Sequence, residues 1–244
     1  MRKNVLIKDN YEEMSREAAE VIYEVIEKNP EAAIVIATGH SPLLAYRMLA
    51  EKVKENQMDV SRLTIVKLDE WAGLDGENEA TCEYFIRKEI LEPLGIDENQ
   101  YLHFAMNAKE EEAECKRIEE AYQNLPQVDL VILGIGMNGH LGLNEPAEEL
   151  IGPAHTILLD DKTKTHELLS HTDKKVVGGL TLGMEDLFRG QKILLLADGK
   201  EKEKGLEYYL NDVITTKVPV SLLKLHQNCQ CIVNKESFPS FWKE

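Results

Sequence analysis

Residues 128–146 read VDLVILGIGMNGHLGLNEP. From Val128 to Leu133 the run is apolar except for Asp129, short enough for a strand buried on both faces of a parallel sheet. Gly134 and Gly136 end it, where a chain turns tightly or lets a group approach its backbone. Asn138, Gly139, His140, Asn144 and Glu145 follow, bringing two amides, an imidazole and a carboxylate. A polar cluster just past the carboxyl end of a buried strand is where open α/β sheets bind ligands. One stretch therefore predicts both an α/β fold and a site.

Working outward, three further strand ends carry chemistry. A short apolar strand is expected over 33–37, and Thr38-Gly39-His40-Ser41-Pro42 follows at once. Here Ser41 is expected to cap a helix whose first residue is Pro42 and which runs to about residue 54. A strand, a small polar loop and a helix N-terminus make a cradle for phosphate. The strand expected over 63–68 ends in Asp69-Glu70-Trp71. Two carboxylates there are costly unless paired, hydrated or used. One can cap the next turn; Asp69, leaving the strand at the same edge as His40 and His140, is the candidate base. A strand over 193–197 opens into a helix to about residue 210, and Lys202 in its first turn is the candidate phosphate clamp.

The remaining segments fit the same alternation. Asn10 is expected to cap a helix over 11–27, and Glu92-Pro93 to stop one over 80–91. Short strands are expected over 101–104, 156–159 and 229–233, a charged helix over 109–124, and helical turns within 160–171, at 184–188 and at 221–225. Val218-Pro219 suggests a strained or cis turn. His155, His166 and His171 lack metal-ligand spacing and are read as surface histidines. Phe238, Phe241 and Trp242 in the tail are expected to pack on the body or on a partner. No linker or repeat interrupts the pattern. The expectation is a single domain over 1–244, a Rossmann-like, mainly parallel sheet with helices on both faces.

Composition narrows the partners. A net charge of −16 disfavours nucleic acid and anionic membrane surfaces. No apolar stretch approaches the roughly 20 residues of a membrane span. The beginning, MRKNVLIKDNYEEM, lacks the apolar segment of a signal peptide, and the four cysteines have no metal-binding spacing. A cytoplasmic protein with free thiols is expected.

In order and spacing, the loops 38–42, 68–71 and 134–146 resemble the glucosamine-6-phosphate deaminase/isomerase family. ATGHSPLLAY (37–46), VKLDEW (66–71) and NGHLGLNEP (138–146) look most like its galactosamine-6-phosphate isomerase branch. The related 6-phosphogluconolactonases typically carry an arginine after Asp-Glu and lack Asn-Glu-Pro; this chain has Trp71 and Asn144-Glu145-Pro146. The resemblance implies aldose–ketose isomerisation of a 2-amino-2-deoxyhexose 6-phosphate with loss of ammonia, using neither metal nor organic cofactor. It implies that His140 shuttles the ring-opening proton, Glu145 orients it, and Asp69 moves the C2 proton to C1. The implied binding set is Thr38, Gly39, His40, Ser41, Glu70, Gly136, Gly139 and Lys202. A homo-oligomer is compatible with the family.

Two departures stand out. Asn138 occupies a position that is aspartate in characterised deaminases. A phosphate-binding arginine of the family falls on Leu169, so Lys162 or Lys164 is expected to substitute; a short lid over 163–175 argues against the family's allosteric regulation. The alternatives are the same reaction on glucosamine 6-phosphate, a lactone hydrolase, and a non-catalytic sugar-phosphate sensor, which Asn138 keeps open.

Overall fold

The computed structural model describes residues 4–106, 108 and 110–242. Its strands are β1 (Asn4–Lys8), β2 (Ala33–Ile36), β3 (Thr64–Lys67), β4 (Asp69–Trp71), β5 (Tyr101–Leu102), β6 (Val128–Gly134), β7 (His155–Leu158), β8 (Gly178–Thr181), β9 (Gly190–Ala197) and β10 (Cys229–Asn234). Seven of them form one parallel sheet in the order β1-β10-β9-β6-β2-β3-β5, with β6 at its centre. The single polar residue of the β6 run has a purpose in this arrangement. Asp129 accepts from Asn29 Nδ2 and from the Ala33 N–H, both at 3.0 Å, and so ties β6 to the start of β2.

Side chains alternate across the sheet, and both faces are covered. Ile34, Ile36, Leu130, Ile132, Leu194 and Leu196 face α1 (Tyr11–Lys28) and α2 (His40–Glu55). Val35, Val131, Leu133, Ile193 and Leu195 pack with residues of α5 (Glu111–Gln123) and α7 (Glu203–Leu210). Between these lie α3 (Cys82–Ile86), α4 (Glu92–Leu94) and α6 (Met184–Phe188). The α/β architecture, a parallel central sheet with helices on both faces, is as expected. No helix among the described residues is long and apolar enough to cross a membrane.

Several local expectations change. Strand β1 was not anticipated; it is a half-exposed edge strand, so its residues lack a buried signature. The strand expected over 156–159 and the segment after Gly178 do not join the main sheet. With β4 they make a small antiparallel sheet, β4-β8-β7, which carries Asp69 away from β3. Pro93 does not stop its helix. A π-helical segment, Arg87–Leu91, widens the coil, the Glu92 N–H bonds the Arg87 carbonyl, and the helix ends at Gly95. Ser41 is not the cap of α2: Gly39 is, and Ser41 lies in the first turn. The Val218–Pro219 bond is trans. Residue 109, the expected start of the charged helix, lies outside the described residues, as do 243–244 of the tail. Phe238 is buried, and Phe241 and Trp242 pack against the same core. All four cysteines are buried and free.

Candidate active site

The strand order reverses between β2 and β6, since the chain passes from β2 to β3 on one side and from β6 to β9 and β10 on the other. Loops leaving a sheet at such a point diverge and open a crevice. A cavity of about 310 Å³ lies there, within the range of small-ligand sites. Its walls are the loop after β2 (Thr38 to Ser41), the junction of β3 and β4 (Leu68, Asp69), the end of β6 and its loop (Gly134 to Met137, His140) and the loop after β9 (Glu201, Lys202), completed by Thr163, Thr165, His166 and Glu167.

His140 is held from three sides. Its Nδ1 lies 3.1 Å from Thr163 Oγ1 and 3.4 Å from Glu145 Oε2. Asn138 donates from Nδ2 to Glu145 Oε2 at 2.7 Å and accepts the His140 N–H on Oδ1 at 3.1 Å. An acceptor-only carboxylate at Nδ1 keeps the proton there and leaves Nε2 with a lone pair. Gly136 makes room for the ring: a Cβ on it would lie 2.2 Å from Nε2. Burial works to raise the Glu145 pKa, but the interactions with His140, Thr163 and Asn138 win and hold it at about 2. Glu145 is thus a permanent anion behind the imidazole.

Asp69 enters the cavity from the start of β4, only 8% exposed. Burial, and then the adjoining Glu70 charge, push its carboxyl up to about 7. The field of His140 and a long contact from Cys82 Sγ at 3.7 Å lower it in part. Cys82 is itself 3.4 Å from Thr38 Oγ1. A carboxylate titrating near neutrality is suited to take and return a proton.

The loops after β2 and β9 bring Lys202 and His40 to the cavity wall. Lys202 Nζ donates to Ser41 Oγ at 2.9 Å beside the first turn of α2. Burial lowers the Lys202 pKa, against the opposing pull of Glu201, Asp198 and Glu167. His40 Nδ1 pairs with Asp198 Oδ2 at 2.9 Å, and its ring stacks on Tyr11 at 4.6 Å. Asp198 in turn accepts from Asn234 and Ser237, so the loops after β2, β9 and β10 are pinned together.

Of the residues expected from sequence, Asp69, His140, Gly136, Thr38, Gly39, His40, Ser41 and Lys202 line the cavity. Asn138 and Glu145 stand behind His140 rather than in the wall. Glu70 does not face the cavity. It turns to the Cys82 and Glu83 N–H groups at 3.0 and 2.8 Å and to Lys67 Nζ at 3.0 Å, so it acts as a cap for α3 and a partner for a buried lysine. Gly139 lies beneath the site, its carbonyl accepting the Val220 N–H. Lys162 and Lys164 are exposed outside the cavity, Lys164 paired with Asp161. The expected surface residue His166 is instead part of the wall. Thr163 and Cys82 carried no signal in sequence, because both contacts cross long chain separations. Among the described residues no group of three or more His, Cys, Asp or Glu side chains could hold a metal ion.

Comparison with known proteins follows the same outline. Residues 8–232 match the family described as glucosamine-6-phosphate isomerases/6-phosphogluconolactonase. The chain belongs to that family. It is 41% identical over 226 residues to "Putative deaminase AgaI" of Escherichia coli (strain K12), covering 93% of this chain and 90% of that protein. It is 37% identical to a glucosamine-6-phosphate deaminase of Clostridium tetani, covering 96% and 98%. A monomeric glucosamine-6-phosphate deaminase of known structure superposes with a TM-score of 0.92 at 29% identity, over 97% of this chain and 98% of that one. As a member of the isomerase/deaminase class of this family, the chain is an enzyme.

Proposed function

We propose that this isomerase/deaminase acts on galactosamine 6-phosphate, giving tagatose 6-phosphate and ammonia. The observation that carries the reading is that three groups line one cavity: Asp69 with its carboxyl raised to about 7, His140 backed by the Glu145 anion, and Lys202 beside the first turn of α2. The galactosamine preference rests on the loops at 37–46, 66–71 and 138–146.

The phosphate sits on the N–H groups of the first turn of α2 and on Lys202. His140 Nε2 accepts the anomeric hydroxyl proton and returns it to the ring oxygen, opening the pyranose while Glu145 balances the transient imidazolium. Asp69, as carboxylate, takes the C2 proton to give an enolamine and delivers that proton to C1. The C2 imine so formed adds water and expels ammonia, leaving a ketone at C2. One amino sugar phosphate and one water thus become one ketohexose phosphate and one ammonia.

The test is ammonia release measured in parallel on galactosamine 6-phosphate and glucosamine 6-phosphate. A higher kcat/KM for the galacto epimer is expected. A higher value for the gluco epimer overturns the branch assignment, and no ammonia from either overturns the substrate class.

A further inference from the structure

We propose that His166 is a phosphate ligand, donating its Nε2–H to an anion held between it, Lys202 and the first turn of α2. This deepens the reading above and rests on it for the identity of the substrate, though not for the anion site itself. Three observations carry it. His166 Nδ1 accepts the Leu168 N–H at 3.2 Å, which leaves the proton on Nε2 in the neutral ring. That nitrogen has no protein partner among the described residues and overhangs Gly39: a Cβ on Gly39 would lie 3.7 Å from it. The Trp71 ring packs against the imidazole at 5.5 Å, tilted 53°, and fixes its orientation. His166 therefore stands over the N-terminus of α2, on the side of the cavity that also holds Lys202.

The charges around His166 make the contact sensitive to its occupant. The cavity presents His40, Asp69, His140, Glu167, Glu201 and Lys202. Burial, then the fields of His140 and Lys202, lower the pKa of His166 to about 4, so it is neutral at pH 7 while the cavity is empty. A dianion placed beside it reverses the sign of the local field and favours the imidazolium. Anion capture is then accompanied by proton uptake at His166, and the hydrogen bond becomes charge-assisted. Neither Lys162 nor Lys164, both exposed, is placed to do this.

Sulfate is the probe, because it has the phosphate shape and charge without titrating near neutrality. Calorimetric titration of the intact protein is expected to show sulfate binding about ten-fold weaker in His166→Ala. In the wild type, affinity is expected to rise as pH falls from 7 to 5. In His166→Gln, which keeps a neutral donor, part of the affinity returns and the pH dependence is shallower. In the ammonia assay His166→Ala raises KM and leaves kcat within a few-fold. Unchanged sulfate affinity in His166→Ala overturns the inference, and an unaltered pH slope in His166→Gln overturns the proton linkage. If neither amino sugar phosphate yields ammonia while His166→Ala still weakens sulfate, the anion site stands and only the substrate reading falls.

Discussion

Asn138 donates from Nδ2 to Glu145 Oε2 at 2.7 Å, while its Oδ1 receives the His140 N–H. The carboxamide is thus wired as a two-way clamp, using both donor and acceptor, between the imidazole's own backbone and the carboxylate behind the ring. An aspartate could keep only the accepting half. The neutral residue is a working part of this arrangement, which argues against the sensor alternative that it had kept open.

Asn138→Asp therefore sets two carboxylates at hydrogen-bond distance, and one must hold a proton or move away. The expected result is a kcat roughly ten-fold lower at pH 8, recovering toward pH 6 as the pair takes up a proton. A pH–rate profile checks this. Wild-type activity at pH 8 would show that Glu145 does not depend on the amide.

Asp69 gives two linked expectations. Asp69→Asn should lower kcat by about 10²–10⁴-fold, and wild-type kcat/KM should rise with pH through about 7 as the carboxylate forms. Its folded pKa lies above the ordinary value, so between about pH 4 and 7 the folded state binds more protons than the unfolded chain. Stability from this group is present at low pH and is lost as pH rises through that window. Asp69→Asn has no such loss, so relative to wild type it should gain on the order of 2–4 kcal/mol between pH 5 and 8. Urea denaturation at the two pH values decides it.

How much of this the sequence carries depends on the range of the interaction. The β6 run, the loops at 38–42 and 68–71 and Lys202 were legible, because a buried strand and its polar exit are contiguous in the chain. His166 was misread, since what makes it a wall residue is Trp71 and Gly39 coming from two distant strand ends. Glu70 was misassigned for a related reason. Alternation along β4 turns it away from Asp69, toward the N–H groups at Cys82 and Glu83, and adjacency in sequence hid that. Pro93 was read as a helix stop because a π-helical segment leaves no simple mark in the pattern.

Lys67 is 1% exposed, with Nζ 3.0 Å from Glu70 and 2.7 Å from Glu83. Removing the ammonium leaves Glu70 without a cation and Glu83 with Arg87 Nε (2.7 Å) as its cationic partner; breaking a buried pair in this way costs about 3–5 kcal/mol. Lys67→Met is expected to lower Tm by about 10 °C. Pairing it with Glu83→Gln, which removes one of the two carboxylate charges beside the lost ammonium, should restore part of the loss. Differential scanning calorimetry of the single and double variants measures the coupling; equal Tm values in both would show that Glu83 does not share the lysine.

Gly136 separates the two halves of the cavity experimentally. A Cβ there would meet Nε2, Cδ2 and Cε1 of His140 at 2.2, 2.3 and 2.4 Å, well inside contact distance, so the imidazole must leave its seat. Doing so breaks its contacts with Thr163 and Glu145. The anion end, built from α2, Lys202 and His166, does not touch Gly136 and is expected to stay as it is. Gly136→Ala should therefore lower kcat by about 10²-fold or more while sulfate binding changes by no more than about two-fold, within the scatter of a conservative substitution. Steady-state kinetics and sulfate titration on the same preparation read the two effects separately. A variant that keeps wild-type kcat would mean that the imidazole works from some other position than the one beside Gly136. A variant that loses both together would mean that the ring and the anion cradle move as one unit.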